Sequence, residues 1–446
     1  MQFPAEFKKN MHALLGAEYV DFERAMNLPP LVSIRANNKT SLDFTFAVEQ
    51  VKWCKSGFYF SSRPQFTLDP MLHAGAYYVQ EASSMFLEQI VNQCFNDAKT
   101  VLDLCAAPGG KSTLLLNAMN KDSLLISNEL MRNRANILNE NITKWGNDNV
   151  IVTNNKPSDF KHLTAFFDVI LADAPCSGEG MFRKDAQAIA EWSPQNVKMC
   201  AARQREICAK IWAALKPEGI FIYSTCTFNR AENEENTQWI CENLGAEILK
   251  INISDFPEIT ETDSGYRFYP HKTKGEGFFI SILRKNKNEE NIFKVKLRNL
   301  KVQNIDIKRF EQIKLKKNDN IFFAEENCIK SCMFDFYPEF QFFEKNFKTL
   351  KSGLTLGEIK GKDFVPSHEL AMSKLIDTEQ INRIEVDAEI ALKFLRKENV
   401  FWGNRPLGYI LLTYKNVPLG WIKNLGNRAN NLYINEWRVR MKSNDL

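Results

Sequence analysis

Nowhere in these 446 residues do eighteen apolar residues run together, so no helical membrane span is expected. The opening Met1-Gln2-Phe3-Pro4-Ala5-Glu6 lacks the basic region, apolar stretch and small-residue cleavage site of an export signal. No Cys-x-x-Cys pair occurs among the 10 cysteines, which argues against a zinc site and against a secreted disulfide framework. The expectation is a cytoplasmic protein with reduced thiols and no metal. Charge of one sign is not in excess either. A formal net charge of +4 permits a polyanionic partner without demanding one.

What is present is ample apolar material, 44% of the residues, in a chain long enough for two to four domains at about 150 residues each. From Thr100 to Lys285, strand-like runs alternate with helical stretches. The strand candidates are Val101 to Cys105, Leu124 to Glu129, Val150 to Thr153, Asp168 to Asp173, Gly219 to Cys226, Ala246 to Ile251 and Gly277 to Leu283. Runs such as Val169-Ile170-Leu171 and Ile220-Phe221-Ile222-Tyr223 are apolar at every position, as strands covered on both faces must be. This pattern predicts an α/β domain with a doubly wound, Rossmann-like parallel sheet. Ser193-Pro194 starts a long helix predicted to reach Leu215, and Asn229 precedes an acidic first turn with Glu232, Glu234 and Glu235. Lys216-Pro217-Glu218-Gly219 then reads as a break before the next strand.

Four regions follow from the shifts in composition. Residues 1–70 are read as a small N-terminal accessory domain with a polar turn at Ala36 to Thr40 and an apolar stretch around Phe44 and Phe46, and residues 71–286 as the sheet domain. Residues 287–365 are first basic, with Lys294, Lys296, Arg298, Lys301, Lys308, Arg309, Lys314, Lys316 and Lys317 following Lys285 and Lys287, then aromatic from Phe322 to Phe347. Residues 366–446 end in short alternating strands from Gly408 to Met441 and read as a β-rich module.

The chemistry concentrates at the carboxyl ends of the strand candidates, where open α/β sheets bind ligands. Cys105-Ala106-Ala107-Pro108-Gly109-Gly110-Lys111-Ser112 joins the first strand to a helix and ends like a phosphate-binding loop. That motif needs glycine where Cys105 stands, and Pro108 removes a backbone donor. A ligand without phosphate that needs close backbone approach fits better, and S-adenosylmethionine is such a ligand. Glu129 closes the second strand, about 20 residues on, where a carboxylate accepts from ribose hydroxyls. Cys176, in Asp173-Ala174-Pro175-Cys176-Ser177-Gly178, and Cys226, in Tyr223-Ser224-Thr225-Cys226-Thr227, each follow a strand, so two thiols should meet at one rim. A thiolate added to carbon 6 of cytosine makes carbon 5 nucleophilic enough to accept a methyl group. A positioned acid such as Asp173 could offset charge at ring nitrogen 3. Cys54, Cys94, Cys200, Cys208 and Cys241 are read as packing residues, as are Cys328 and Cys332, which have helical spacing.

These stretches resemble the Sun-type RNA (cytosine-5) methyltransferases, and within them the RsmF-like enzymes of bacterial ribosomal RNA. The resemblance is carried by Gln80 to Met85, Ala106 to Lys111, Asp173 to Asp185, Trp192-Ser193-Pro194, Tyr223 to Thr227 with Glu232-Asn233-Glu234, and Gly275 to Phe279. It implies Cys226 as nucleophile, Cys176 as the thiol that assists release, Asp173 and Lys111 beside them, and a cofactor site from Cys105, Ala106, Ala107, Pro108, Gly109, Gly110, Lys111, Glu129 and Asp173. It also implies S-adenosylmethionine as cofactor, small-subunit ribosomal RNA as partner, a monomer, and a PUA-like RNA-binding module at Pro418 to Trp421 and Gly426 to Arg428. Family members carry an acidic residue where this chain has Lys156, so the adenine contact there is open. The rival readings are a transfer RNA cytosine-5 methyltransferase, a DNA cytosine methyltransferase, which would not need Thr225-Cys226-Thr227, and a non-catalytic RNA-binding ribosome-assembly factor.

Overall fold

The computed structural model of the chain describes residues 2–39, 47–287, 293, 305–307, 310, 312–400 and 405–441. Phe44, Phe46, Thr40 and the basic residues Lys294, Lys296, Arg298, Lys301, Lys308 and Arg309 lie outside them. Among the described residues no helix is long and apolar enough to cross a membrane.

Two helices, Ala5–Leu15 and Tyr19–Met26, precede an antiparallel sheet of β1 (Val32–Ala36), β2 (Ala47–Gln50), β3 (Gly57–Phe60) and β4 (Tyr77–Val79), in the order β2-β3-β1-β4. The N-terminal unit therefore extends past residue 70, because Ile34, Arg35 and Ala36 pair with Val79, Tyr78 and Tyr77.

The central sheet contains β5 (Thr100–Asp103), β6 (Leu124–Asn128), β7 (Val150–Thr153), β8 (Phe167–Asp173), β9 (Leu215–Thr225), β10 (Ala246–Leu249), β11 (Thr260–Thr262), β12 (Gly265–Phe268) and β13 (Phe278–Lys285). Its order is β11-β12-β13-β9-β8-β5-β6-β7, with β5 to β9 parallel and β13 antiparallel to β9. Val101, Ile126, Ile151, Ile170 and Ile222 have no exposed surface, as the apolar runs require when helices cover both faces. Two boundaries differ from expectation. The helix beginning at Pro194 stops at Ile211, where Trp212–Ala214 tightens into a 3-10 turn, and β9 already starts at Leu215. Lys216 to Gly219 does not break the strand, because Leu215 pairs with Phe167 and the register shift before Ile220 takes up the irregular turn.

Downstream, β14 (Asn320–Glu325) and β15 (Cys328–Met333) form a hairpin, and β16 (Thr349–Ser352) pairs antiparallel with β7 at the edge of the central sheet. Residues 287–365 are thus not a separate body. Cys328 and Cys332 lie on a strand and not on a helix: Glu326 takes φ 54 at the hairpin turn, and Cys332 packs inward with 1% exposure. β17 (Leu354–Lys360) and β18 (Asp363–Pro366) complete that sheet, and β19 (Arg383–Glu385), β20 (Gly408–Tyr414), β21 (Val417–Asn424) and β22 (Ala429–Asn431) form the last one.

The C-terminal sheet is apolar on both faces for a reason visible in β20. Ile410 and Leu412 join a core with Ile34, Phe60 and Tyr77 of the N-terminal unit, and with Phe394 and Tyr433. Leu411, pointing the other way, joins Trp421 and the intermediate residues Ile329, Leu354 and Leu356. The N-terminal sheet and the C-terminal sheet share one core.

Candidate active site

Adjacent parallel strands carry the candidate residues to one edge. β5 ends in Asp103 and feeds the loop into the helix Gly110–Ala118, whose N-cap Gly109 takes φ 116, a left-handed conformation that a side chain would strain. β6 delivers Glu129, β8 delivers Asp173 and then Cys176, and β9 delivers Cys226.

The two thiols meet. Cys176 Sγ lies 3.1 Å from Cys226 Sγ and accepts the Cys226 N–H at 3.3 Å. Contact with the Cys226 sulfur, and then burial, push the Cys176 thiol well above its ordinary range. Cys105, in contrast, contacts neither; burial and then the Asp103, Asp173 and Glu129 charges raise it well above the thiol range, which leaves it inert.

Lys111 Nζ is 2.8 Å from Asp173 Oδ2 and 5.1 Å from the centre of the Phe278 ring. Burial would lower the Lys111 pKa, but the Asp173 charge and hydrogen bond outweigh it and the net shift is upward. Asp173 Oδ1 accepts from Ser224 Oγ at 2.7 Å. Both Asp173 oxygens are thus engaged, Oδ2 by Lys111 and Oδ1 by Ser224.

At the cofactor side Glu129 Oε1 accepts from the Met131 N–H at 2.9 Å, and Oε2 lies buried without a hydrogen-bond partner, 3.4 Å from Arg134 Nη1. Arg134 Nη2 in turn donates to Ala107 O at 2.7 Å and ties the glycine loop to Glu129. Asp103 Oδ2 accepts from Ser112 Oγ at 2.6 Å, while Oδ1 is buried and unpartnered. Burial pushes Asp103 up to about 7, against the Ser112 hydrogen bond. Vacant buried acceptors beside a backbone loop that exposes no phosphate cradle fit a ligand with ribose hydroxyls and a cationic centre, as S-adenosylmethionine has. Lys156 is exposed, and Asp159 Oδ2 accepts from the Lys156 N–H at 3.0 Å and from Asn155 Nδ2 at 3.0 Å. Among the described residues no cluster could hold a metal ion.

Sequence reasoning missed the carboxylates that hold the two cysteine loops together. Glu179 is 1% exposed and accepts from Thr227 Oγ1 at 2.7 Å, Phe228 N at 2.8 Å, Asn229 N at 2.9 Å and Trp192 Nε1 at 2.9 Å. Glu232, expected in the first turn of a helix, precedes the helix Glu234–Ile240 and is buried. Its oxygens accept from Ser177 N at 3.0 Å, Gln204 Nε2 at 2.7 Å and Asn229 Nδ2 at 2.7 Å. Gly180 also donates to Cys226 O at 2.9 Å, and any Cβ there would lie 2.4 Å from Gly277 O. The signal was present in the spacing of Glu179-Gly180 after Pro175-Cys176, yet a glutamate flanked by glycines reads as exposed loop.

Residues 93–284 match the family model of the 16S rRNA methyltransferase RsmB/F, residues 3–82 that of the N-terminal domain of 16S rRNA methyltransferase RsmF, and residues 381–439 that of the methyltransferase RsmF PUA domain. Ribosomal RNA small subunit methyltransferase F of Escherichia coli O81 (strain ED1a) is 30% identical over 464 residues, covering 97% of this chain and 96% of that protein. The protein of the same name from Pectobacterium carotovorum subsp. carotovorum (strain PC1) is 30% identical over 466 residues, covering 96% and 94%. A solved methyltransferase homolog from Pyrococcus horikoshii superposes with a TM-score of 0.55 at 29% identity, over 64% of this chain and 95% of that one. With its central sheet, its N-terminal unit and its last β-sheet all matched, the chain belongs to the RsmB/F family of 16S rRNA methyltransferases.

Proposed function

We propose that this chain methylates carbon 5 of a cytosine in 16S ribosomal RNA through a covalent adduct on Cys226. The observation that carries the reading is the pair of thiols 3.1 Å apart at the ends of adjacent parallel strands. Cys226 gives its thiol proton to water and adds through sulfur to carbon 6 of the base, and the electron pair of the 5,6 double bond moves to carbon 5. Lys111, held by Asp173, donates toward the base edge where negative charge develops. Glu129 and the 105–111 loop would hold S-adenosylmethionine, which would supply the methyl group for carbon 5. Loss of the carbon 5 proton to water then restores the double bond as the carbon–sulfur bond breaks, and the Cys176 thiol donates its proton to the departing Cys226 thiolate and regains one from solvent. Glu179 and Glu232 position the two loops without touching the base. A monomer in a reducing cytoplasm suits both the free thiols and a ribosomal substrate.

Bisulfite sequencing of total RNA from cells with and without the gene tests this. The expected result is one 16S cytosine that loses protection on deletion. Loss at a transfer RNA cytosine, or at none, would overturn it.

A further inference from the structure

Opposite the catalytic edge, at the amino ends of the parallel strands, lies a cleft of about 1170 Å³. It is walled by the turns before β6 and β7, by the tip of the N-terminal unit, by residues 316–321 and 333–335 of the intermediate region, and by the β20–β21 turn. Four parts of the chain meet there; none of the residues of the candidate active site belongs to it, and Pro418 is its one residue from the stretches read as the PUA-like module.

Its chemistry is unusual for a domain junction. Lys39, Lys121, Lys316 and Lys374 line it, and among the described residues none is ion-paired with a carboxylate. Among the described residues Lys39 Nζ donates to the carbonyls of Lys144 and Ala74, and Lys374 Nζ to Asn117 Oδ1 at 3.1 Å, with the Trp145 ring 5.6 Å away. Burial pushes Lys374 down to about 7, against the Asp148 charge, and Lys39 well below its usual value, so the ammonium charge of the cleft rests on the exposed Lys121 and Lys316. Asn147 Oδ1 is buried there without a partner. At the mouth Phe334 is 63% exposed, an aromatic ring held out to solvent by the 3-10 turn Phe334–Phe336.

An exposed ring, the two exposed ammonium groups of Lys121 and Lys316 and a wall of amides are the components of a single-stranded nucleic acid site: bases stack on the ring, phosphates meet the two lysines, and amides bond base edges. The volume exceeds that of most small-molecule pockets and suits more than one nucleotide. Asp122, Asp148, Asp319 and Asp335 also line it. The cleft is therefore not a continuous phosphate trough: phosphate contacts are left to Lys121 and Lys316, and carboxylates that accept from base amino groups fit base-edge reading.

We infer that this cleft is a second RNA site, which takes an unpaired segment of the same RNA at a distance from the target base, with Phe334 as its stacking platform. The inference rests on the RNA reading above. It deepens that reading: the segment selects the RNA without taking part in the reaction.

The test uses the full chain and deproteinised 16S RNA. In the triple variant Phe334→Ala, Lys121→Ala, Lys316→Ala all three side chains are exposed, so the fold is not at stake. Affinity should fall at least about tenfold, the loss of a stacked base and two phosphate contacts, with kcat at saturating RNA within about twofold. RNA containing 4-thiouridine should photo-cross-link to peptides spanning 316–335 in the wild type. Affinity within twofold of wild type, with cross-links confined to the catalytic edge and the C-terminal sheet, would overturn the inference. Methyl transfer by the wild type reports on the proposed reaction, and affinity with cross-links reports on the cleft, so the two can fail separately.

Discussion

Around Cys226 the contacts are short and polar, with single carboxylates each satisfying three or four donors, whereas the units around the central sheet are joined through apolar side chains. The difference teaches where damage stays local. A buried carboxylate with many donors is an all-or-none support for two loops and nothing else. An apolar core shared by residues 34 and 433 transmits a loss to both ends of the chain.

The largest expected effect is on the catalytic side. Cys226→Ala should reduce methyl transfer by at least about 10³-fold in a tritium-transfer assay, with cofactor affinity within twofold of wild type, because the nucleophile touches only the base. Glu179→Ala comes next. It strands buried donors on Thr227, Phe228 and Asn229, at about 1–3 kcal/mol each, so kcat should fall about 10²-fold while cofactor titration stays near normal. If cofactor affinity collapsed as well, the network would not be local.

Phe394→Ala sharpens the other half. Truncating a buried phenylalanine costs about 3–5 kcal/mol. Hydrogen exchange should quicken in β1 and β3 as well as in β20, because Phe394 and Ile34 belong to one core. Opening confined to β20 would break the comparison. For the same reason removal of residues 290–446, which a modular reading treats as a simple loss of RNA affinity, should expose the apolar face of the N-terminal sheet and make the remainder aggregate.

A smaller effect is pH-dependent. Burial raises Asp103 to about 7 in the folded chain, above its unfolded value, so the folded state binds the extra proton between roughly pH 4 and 7. Stability from this group is therefore full at low pH and falls as pH rises through about 7. Chemical denaturation at pH 5 and pH 8 should show a decline in the wild type that Asp103→Asn lessens; an identical decline in both would assign it elsewhere. The smallest effect concerns the adenine side: Lys156→Asp should leave calorimetric cofactor affinity within about twofold, and Asp159→Ala should weaken it by about 1 kcal/mol. Tighter binding by Lys156→Asp with a silent Asp159→Ala would reverse that assignment.

The same contrast explains what could be read before the structure. The central strands were legible because both faces are covered, which leaves uninterrupted runs such as Val169-Ile170-Leu171, and the thiols were legible because each follows such a run. The N-terminal sheet was not. Arg35 sits mid-strand and reads as exposed, yet it is fully buried, with Nε on Gln80 and its guanidinium 4.6 Å from the Trp145 ring. Lys285, counted with the basic stretch, is buried and donates to Trp212 O and Leu215 O. Charge in a sequence carries no mark of its partners, and neither Glu179 nor the cleft around Lys374 could be found without them.

The account stands most directly on which sulfur holds the RNA. Wild type, Cys176→Ala and Cys226→Ala should each be incubated with S-adenosylmethionine and 16S RNA, denatured, and any covalent protein–RNA complex digested and sequenced by mass spectrometry. The account predicts that Cys176→Ala accumulates an adduct whose linked peptide contains Cys226, and that Cys226→Ala forms none. An adduct on Cys176 in the Cys226→Ala variant, with methyl transfer retained, would contradict it.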